Sequence, residues 1–557
     1  MAIISLPTLW AITLLTLCAA QQCPTQPENG ICSINTFNST LSLIGASIEK
    51  IGIVPPGGCF RGSPADDIAV TGRPNVAADV GGSCALIVKN GSYRFGLLLP
   101  DNSAWKGSFL AVGNYAFAGG INFIDMGFGV SIYGMATMST DTGHSSSEGD
   151  MTWAKGNTQA QEDWGFRAMN GSVAIAKQLV DAYYGRNPSF SYYSGCSTGG
   201  REGLKQIQVD QTSFNGLLIG APAWDQYHMM PWITKLGADY SKPEANGNFT
   251  FNQWFGMVVK IRAACDLKDS VPDNIISRPD LCNFDEIAPL LQCNETVKDY
   301  CLNENQIPTA RQIYQDYVIG GNPDPVFYGP ELGSEVELGL TIGGYLNNTN
   351  PTGFDREWFK NFMGYPDNYV YNDSALTDAV DKNPGNATAD GFNISKFAQN
   401  RGKIILYQGL ADGVIPAKST MNFYNKTKED TDGDVDSYMR YFPVPGMRHC
   451  WLSDTDLEGN AFAPWMLGGA GQVNLVTPSE AGQVLGNPEL DAFARLQQWV
   501  EAAAADPTAA GPTNITATTW FTWNQTIWRQ RPICAYPRMA ALKDGADLNK
   551  KESWECR

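Results

Sequence analysis

Histidine is scarce in this chain. Only His144, His228 and His449 carry an imidazole among 557 residues, so chemistry that needs such a base has three places to find it. Positive charge is also short: 39 Lys and Arg stand against 57 Asp and Glu, giving a net charge of -18 and a pI near 4.7. Phosphate recognition needs a basic surface, so nucleic acid is excluded as a partner. Past the N-terminal leader no stretch approaches the ~20 apolar residues of a membrane-spanning helix. No internal repeat or low-complexity segment is present either, which sets aside a repeat array.

What the chain does contain suffices for a large core. With 43% hydrophobic residues over this length, it should form two or more domains, or one large domain carrying an insertion. Met1 to Ala20 include an apolar run, Leu9 to Cys18, followed by Ala19 and Ala20. This reads as a secretory signal cut near Ala20-Gln21, although it has no early Lys or Arg; as a membrane anchor it is too short. A secreted, extracellular protein is expected. Setting Cys18 aside with the signal leaves an even set: Cys23, Cys32, Cys59, Cys84, Cys196, Cys265, Cys282, Cys293, Cys301, Cys450, Cys534 and Cys556. An even set in a secreted chain implies disulfides. Sequons at Asn38, Asn90, Asn170, Asn248, Asn372 and Asn524 agree with a glycosylating pathway.

The rest is organised around Phe190 to Gln208, where Gly195, Ser197 and Gly199 fit a Gly-x-Ser-x-Gly nucleophile elbow. Glycines flank such a serine because side chains there would collide with neighbouring backbone. Phe190 to Tyr193 are aromatic and strand-like, and Arg201 to Gln208 contain good helix formers, so the serine falls at a strand-to-helix junction.

Around this junction strands and helices alternate. Cys23 to Cys84 reads as a disulfide-stapled N-terminal cap, and Ser108 to Val112 as a strand entering the loop Gly113-Asn114-Tyr115-Ala116, which can lend a backbone N–H to an oxyanion hole. Gly129 to Tyr133 is expected to be the next strand, and Val173, Ala176, Leu179, Val180 and Tyr183 recur at helical spacing. Leu217 to Pro222 is a short apolar strand. From Trp224 to about Asn400 the alternation is lost and four cysteines cluster, before it resumes at Lys403 to Tyr407. Tyr438 to Phe442 reads as the last strand, and Phe493, Leu496, Trp499 and Val500 mark a closing helix. The fold class is therefore α/β: an α/β-hydrolase core, residues 21–224 and 401–557, interrupted by an inserted lid domain over 225–400.

A serine nucleophile needs a base and an acid. His449, in Gly446-Met447-Arg448-His449-Cys450 just past the last strand, falls where the order Ser, Asp, His expects the base; His228 lies inside the lid and His144 in a turn-rich loop. Asp412 follows the Lys403 to Gln408 strand and is the candidate acid, its Asp-Gly pair otherwise being an ordinary turn signal. If Ser197 and His449 meet, Cys196 and Cys450 are brought together, and a bridge closing so long a loop stabilises by roughly 5 kcal/mol in the chain-entropy model. Thr198 N–H, at the helix start, is the first oxyanion donor.

The pairing of Cys196-Ser197 with Asp412 and with His449-Cys450 resembles the tannase and feruloyl esterase family of secreted α/β-hydrolases. The likeness extends through Gly-Cys-Ser-Thr-Gly-Gly-Arg-Glu-Gly, Cys265 to Ile276, Gly409 to Pro416 and Cys534 to Cys556. It implies an esterase whose triad is Ser197, Asp412 and His449, with bridges Cys196–Cys450, Cys265–Cys282, Cys293–Cys301 and Cys534–Cys556. Pairing among Cys23, Cys32, Cys59 and Cys84 stays open. Members often carry consecutive glycines where this chain has Tyr115-Ala116, so Tyr115 as second oxyanion donor is a departure from the pattern.

Three carboxylates in Cys265 to Ile275 supply hard oxygen for calcium, though composition alone favours a solvated acidic turn. The resemblance implies a calcium ion held by the side chains of Asp266, Asp269 and Asp273 with the carbonyls of Val271 and Ile275. A rival run, Asp430 to Asp436, has Val435 and Tyr441 where an EF-hand loop needs Gly and Glu, and is rejected. The expected activity is serine carboxylesterase action on small phenolic esters, feruloyl (hydroxycinnamoyl) or galloyl, free or attached to plant polysaccharide, by a monomer or homodimer. A secreted serine peptidase and a calcium-dependent binding protein on a hydrolase scaffold are the alternatives. An ordered triad argues against the second, and an aryl ester tested against a peptide separates the first.

Overall fold

Runs of Val, Ile, Leu, Phe and Tyr form a nine-stranded sheet, whose strands are β1 (Ser47–Val54), β2 (Ser83–Asn90), β3 (Tyr93–Pro100), β4 (Ser108–Val112), β5 (Ala136–Thr140), β6 (Phe190–Cys196), β7 (Gly216–Gly220), β8 (Lys403–Gly409) and β9 (Met439–Val444). In space the order is β1-β2-β3-β5-β4-β6-β7-β8-β9. The computed structural model describes residues 27–56, 60, 82–240, 249–320, 324–340, 354–431, 434–451, 465–469, 472, 482–520 and 526–557. The expected signal, Cys18, Cys23, Cys59, Asp432 and the sequons at Asn248 and Asn524 lie outside them.

From β5 to β9 the strands pair in parallel, and both faces are covered by helices. Strands buried on both sides read as continuous apolar runs, with neighbours pointing to opposite faces. Leu217, Ile219, Ile404 and Leu406 thus join Val173, Leu179, Leu204 and Phe423 on one face. Leu218 and Ile405 join Phe123, Phe493, Leu496 and Trp499 on the other. Each such fully buried side chain contributes roughly 1.5–3 kcal/mol. The helices Ala168–Tyr184, Thr198–Val209 and Ala492–Ala505 are therefore fixed by their apolar stripes.

Two readings need correction. Gly129 to Tyr133 is not a strand, since residues 129–131 end the helix Phe123–Ser131. Asn122 caps that helix by accepting from the Asp125 N–H. The helix is buried on nearly every side, so no amphipathic period announces it. The strand comes afterwards, β5, beyond a turn at Gly134 with φ 63°. The N-terminal segment, in turn, is more than a stapled cap. Its bridge Cys32–Cys84 forms, but β1, β2 and β3 extend the main sheet as an antiparallel meander, with Gly91 and Ser92 making the β2–β3 turn.

Between β7 and β8 the chain leaves the sheet and builds helices around a separate core of Trp232, Trp254, Met257, Ile261, Leu291, Ile313, Phe327 and Trp358. After the helix Ala492–Ala505, β10 (Asn514–Trp520) pairs with β11 (Ile527–Cys534), and β12 (Ala540–Leu542) with β13 (Trp554–Cys556). Among the described residues no helix is long and apolar enough to cross a membrane.

Candidate active site

β6 ends at Cys196 and the helix starts at Thr198, so Ser197 alone makes the turn, at φ 63° and ψ -124°. Its N–H donates to the Gly220 carbonyl (3.0 Å), while its own carbonyl accepts from Arg201 and Ala223 (3.0 and 3.1 Å). The glycines are sterically required. A Cβ at Gly195 would lie 2.7 Å from the Gly199 carbonyl, one at Gly199 2.9 Å from the Asn114 oxygen, and one at Gly113 2.5 Å from Gly199 Cα. The loop after β4 therefore meets the start of the elbow helix backbone to backbone.

Side chains then lock that contact. Thr198 Oγ1 donates to the Ala116 carbonyl (2.7 Å), the Asn114 N–H donates to Glu202 Oε2 (2.9 Å), and the Tyr115 hydroxyl donates to Asp125 Oδ2 (2.5 Å). Tyr115 thus sits in the loop beside the serine with its side chain turned away to Asp125. Burial pushes the Glu202 carboxyl up to about 7, against the pull of Arg201. Arg201, fully buried, donates to the carbonyls of Gly165 and Trp164 (2.7 and 3.0 Å) and packs 4.1 Å over the Trp164 ring.

At the end of β8, Asp412 is buried. Its Oδ1 accepts from Val414 and Ile415 N–H (2.9 and 2.8 Å), which turns Oδ2 toward Gln408 Nε2 (2.8 Å) and His449 Nδ1 (2.9 Å). Gln408 is itself held by the Thr420 hydroxyl (2.7 Å). Burial opposes the charged form of His449, but the charge and hydrogen bond of Asp412, with Glu337 nearby, outweigh it and raise the imidazole pKa. Cys196 and Cys450 form a disulfide with Cα atoms 5.9 Å apart across 254 residues of sequence, so the residue before Ser197 is bonded to the residue after His449. The other expected bridges, Cys265–Cys282, Cys293–Cys301 and Cys534–Cys556, are also formed.

The remaining histidines are otherwise engaged. His144 stacks on Trp153 (3.7 Å) with Nε2 3.1 Å from the Phe117 carbonyl, and burial lowers its pKa to about 4. His228 Nδ1 lies 3.0 Å from Asp225. One residue escaped sequence reasoning altogether: Glu337, from the insert, reaches the backbone beside both Asp412 and His449. No motif marks it, since it is one acidic residue in an unremarked Glu-Val-Glu-Leu run.

In the acidic loop, Asp269 Oδ1 accepts from Val271 N–H (2.9 Å), and Asp273 accepts from Ile275 N–H (3.0 Å) and Arg531 Nη1 (2.9 Å). Asp266 Oδ1 and Asp269 Oδ2 are buried without hydrogen-bond partners. Burial first, then the charges of Asp273 and Asp269, push the Asp266 carboxyl up to about 6. Among the described residues no three acidic, Cys or His side chains converge as a ready-made metal cage. Crowded carboxylates with oxygens left over nevertheless suit a hard cation, so these residues fit calcium.

A serine at a strained strand-to-helix turn, a carboxylate–imidazole pair on later strand ends and a largely parallel sheet define an α/β-hydrolase. The chain belongs to the tannase and feruloyl esterase family, whose model matches residues 87–325 and 372–557, and is a carboxylic ester hydrolase. It is similar to a probable feruloyl esterase B-1 of Aspergillus oryzae, 28% identical over 470 residues covering 82% of this chain and 80% of that protein. A probable feruloyl esterase B-2 of Aspergillus terreus is 27% identical over 494 residues, 86% of this chain and 87% of that one. Among solved structures, feruloyl esterase B from Aspergillus oryzae aligns with a TM-score of 0.79 at 24% identity, over 95% of this chain and 99% of that one. The tannin acyl hydrolase from Aspergillus niger aligns at 0.69 and 18% identity, over 95% of each chain.

Proposed function

We propose that the protein is a secreted serine esterase that hydrolyses esters of phenolic acids, feruloyl and other hydroxycinnamoyl esters of plant cell wall material, through Ser197, His449 and Asp412. The observation that carries this reading is the 2.9 Å Asp412–His449 contact, tied to the elbow serine by the Cys196–Cys450 bridge. His449 takes the proton of Ser197 Oγ as that oxygen attacks the ester carbonyl. Asp412 keeps the imidazole in the tautomer that leaves its other nitrogen free for this task, and it stabilises the imidazolium. The negative oxygen is met by the Thr198 N–H at the positive end of the dipole of the twelve-residue helix Thr198–Val209, and by an N–H of the Tyr115 loop. His449 then protonates the departing alcohol, and water attacks the acyl-enzyme by the same route in reverse.

The insert, residues 225–400, acts as a lid over the acyl group in this reading. Its acidic loop holds one calcium through Asp266, Asp269, Asp273 and the carbonyls of Val271 and Ile275. When bound, the ion neutralises the three carboxylates and stabilises the folded loop. The test is initial rates on methyl ferulate, methyl caffeate, chlorogenate and methyl gallate beside a chromogenic peptide. Hydroxycinnamoyl esters should be turned over fastest; preference for gallate makes the protein a tannase, and cleavage of the peptide alone overturns the esterase reading.

A further inference from the structure

Glu337 reaches the catalytic loops from outside the sheet. It lies in the short helix Glu335–Leu340 of the insert, is only 8% exposed, and presents one carboxylate to two loops at once. Oε2 accepts from the Gly413 N–H (2.8 Å) and from the His449 N–H (3.1 Å), with Oε1 3.3 Å from the latter. The donors belong to the residue after Asp412 and to His449 itself. The helix is seated tightly: a Cβ at Gly413 would lie 2.8 Å from Leu338 N and 3.1 Å from both Glu337 Cβ and Ser334 O. A glycine at 413 is thus needed for the insert to approach.

We propose that Glu337 is a positioning residue for the triad, holding the backbones that carry acid and base in register and placing a second carboxylate behind the imidazole. This rests on the assignment of Ser197, Asp412 and His449 above. Removing that carboxylate would take its acceptor from the Gly413 and His449 N–H groups, and catalytic geometry is unforgiving, a shift of about 1 Å costing up to ~10²-fold. The groups facing Glu337 are Asp412, His449 and Arg448 from the catalytic loops; on its own helix Glu335 faces Tyr314 and Gly333. Burial and Asp412 push the Glu337 carboxyl up to about 7, while His449 and Arg448 draw it down. Its charge and that of His449 are therefore linked, and Glu337 contributes to the raised pKa of the imidazole.

Two substitutions divide geometry from charge. Glu337→Gln keeps an oxygen that both N–H groups can share but removes the charge, whereas Glu337→Ala removes both. With circular dichroism and melting confirming a folded protein, Glu337→Ala should lower kcat about 10-fold or more at little change in KM. Glu337→Gln should recover most of that kcat while shifting the acidic limb of the pH profile to lower pH, because the imidazolium loses a nearby negative charge. If Glu337→Ala fails to fold, the Glu337→Gln profile decides: an unshifted limb overturns the proposal. Wild-type kcat in folded Glu337→Ala overturns it as well. Ser197→Ala run alongside separates the two levels, since an active Ser197→Ala protein refutes the triad itself, whereas an inactive one beside an unaffected Glu337 pair refutes only the positioning role.

Discussion

The strand ends of the sheet and the acidic loop of the insert both gather carboxylates, under opposite conditions. Asp412 is buried, yet both of its oxygens are met, by two backbone N–H groups on one side and by Gln408 and His449 on the other. Asp266 and Asp269 each keep a buried oxygen with no partner, and the neighbouring charges of Asp273 and Asp269 make ionisation of Asp266 harder. An unmet buried acceptor costs ~1–3 kcal/mol, more when charged. At the first site the chain's own atoms meet the carboxylate; at the second, oxygens are left over, which the calcium proposed above would meet.

The difference can be broken at either end. The largest effect is expected at the sheet: Ser197→Ala and His449→Ala should each lower kcat by about 10⁴-fold or more, with Asp412→Asn no worse than about 10⁴-fold, and with melting temperatures close to the parent's. Retained turnover in Ser197→Ala removes the triad. Next, replacing Cys196 and Cys450 together by Ala should cost about 10²-fold in turnover of protein that circular dichroism shows to be folded, because the bridge joins the residue before the nucleophile to the residue after the base. Normal turnover with a lowered melting temperature would make the bridge structural only. Smaller still, stripping calcium with a chelator should leave kcat at low temperature nearly unchanged while lowering stability, by about 2.7 kcal/mol relative to protein at one hundred times its Kd. Asp269→Ala should reproduce that loss and abolish its reversal by added calcium. A melting curve indifferent to both would erase the contrast between the two regions.

How much of this was legible beforehand depends on where the signal resides. Ser197, Asp412 and His449 stand out in the sequence as candidates because each follows a recognisable apolar strand and the chain offers only three histidines, and the structure brings Asp412 and His449 within 2.9 Å. The two cysteines beside the serine and histidine announced their own proximity. Gly129 to Tyr133 misled because Gly-Val-Ser-Ile-Tyr has strand-like composition, while the helix that ends there is buried all round and shows no polar face. The β2–β3 hairpin had a usable sign, Gly91-Ser92 between two β-rich runs, which the sequon at Asn90 obscured. Glu337 had none. Its significance comes from the insert folding back onto Gly413, a long-range contact that no local spacing encodes.

The backbone at Ser197 also sets a cost on the fold as a whole. At φ 63° and ψ -124° it occupies a region open to glycine and hostile to any residue with a Cβ, a strain of ~1–3 kcal/mol. Glycine would remove that strain and forfeit only ~0.5–1 kcal/mol of chain entropy. Ser197→Gly should consequently melt above the parent enzyme, and Ser197→Ala, which keeps the Cβ, should not; equal melting temperatures for the two variants would show the turn to be unstrained. The enzyme as it stands is then less stable than its own inactive glycine variant, and the shortfall is the thermal margin surrendered to keep a hydroxyl at the tip of the turn.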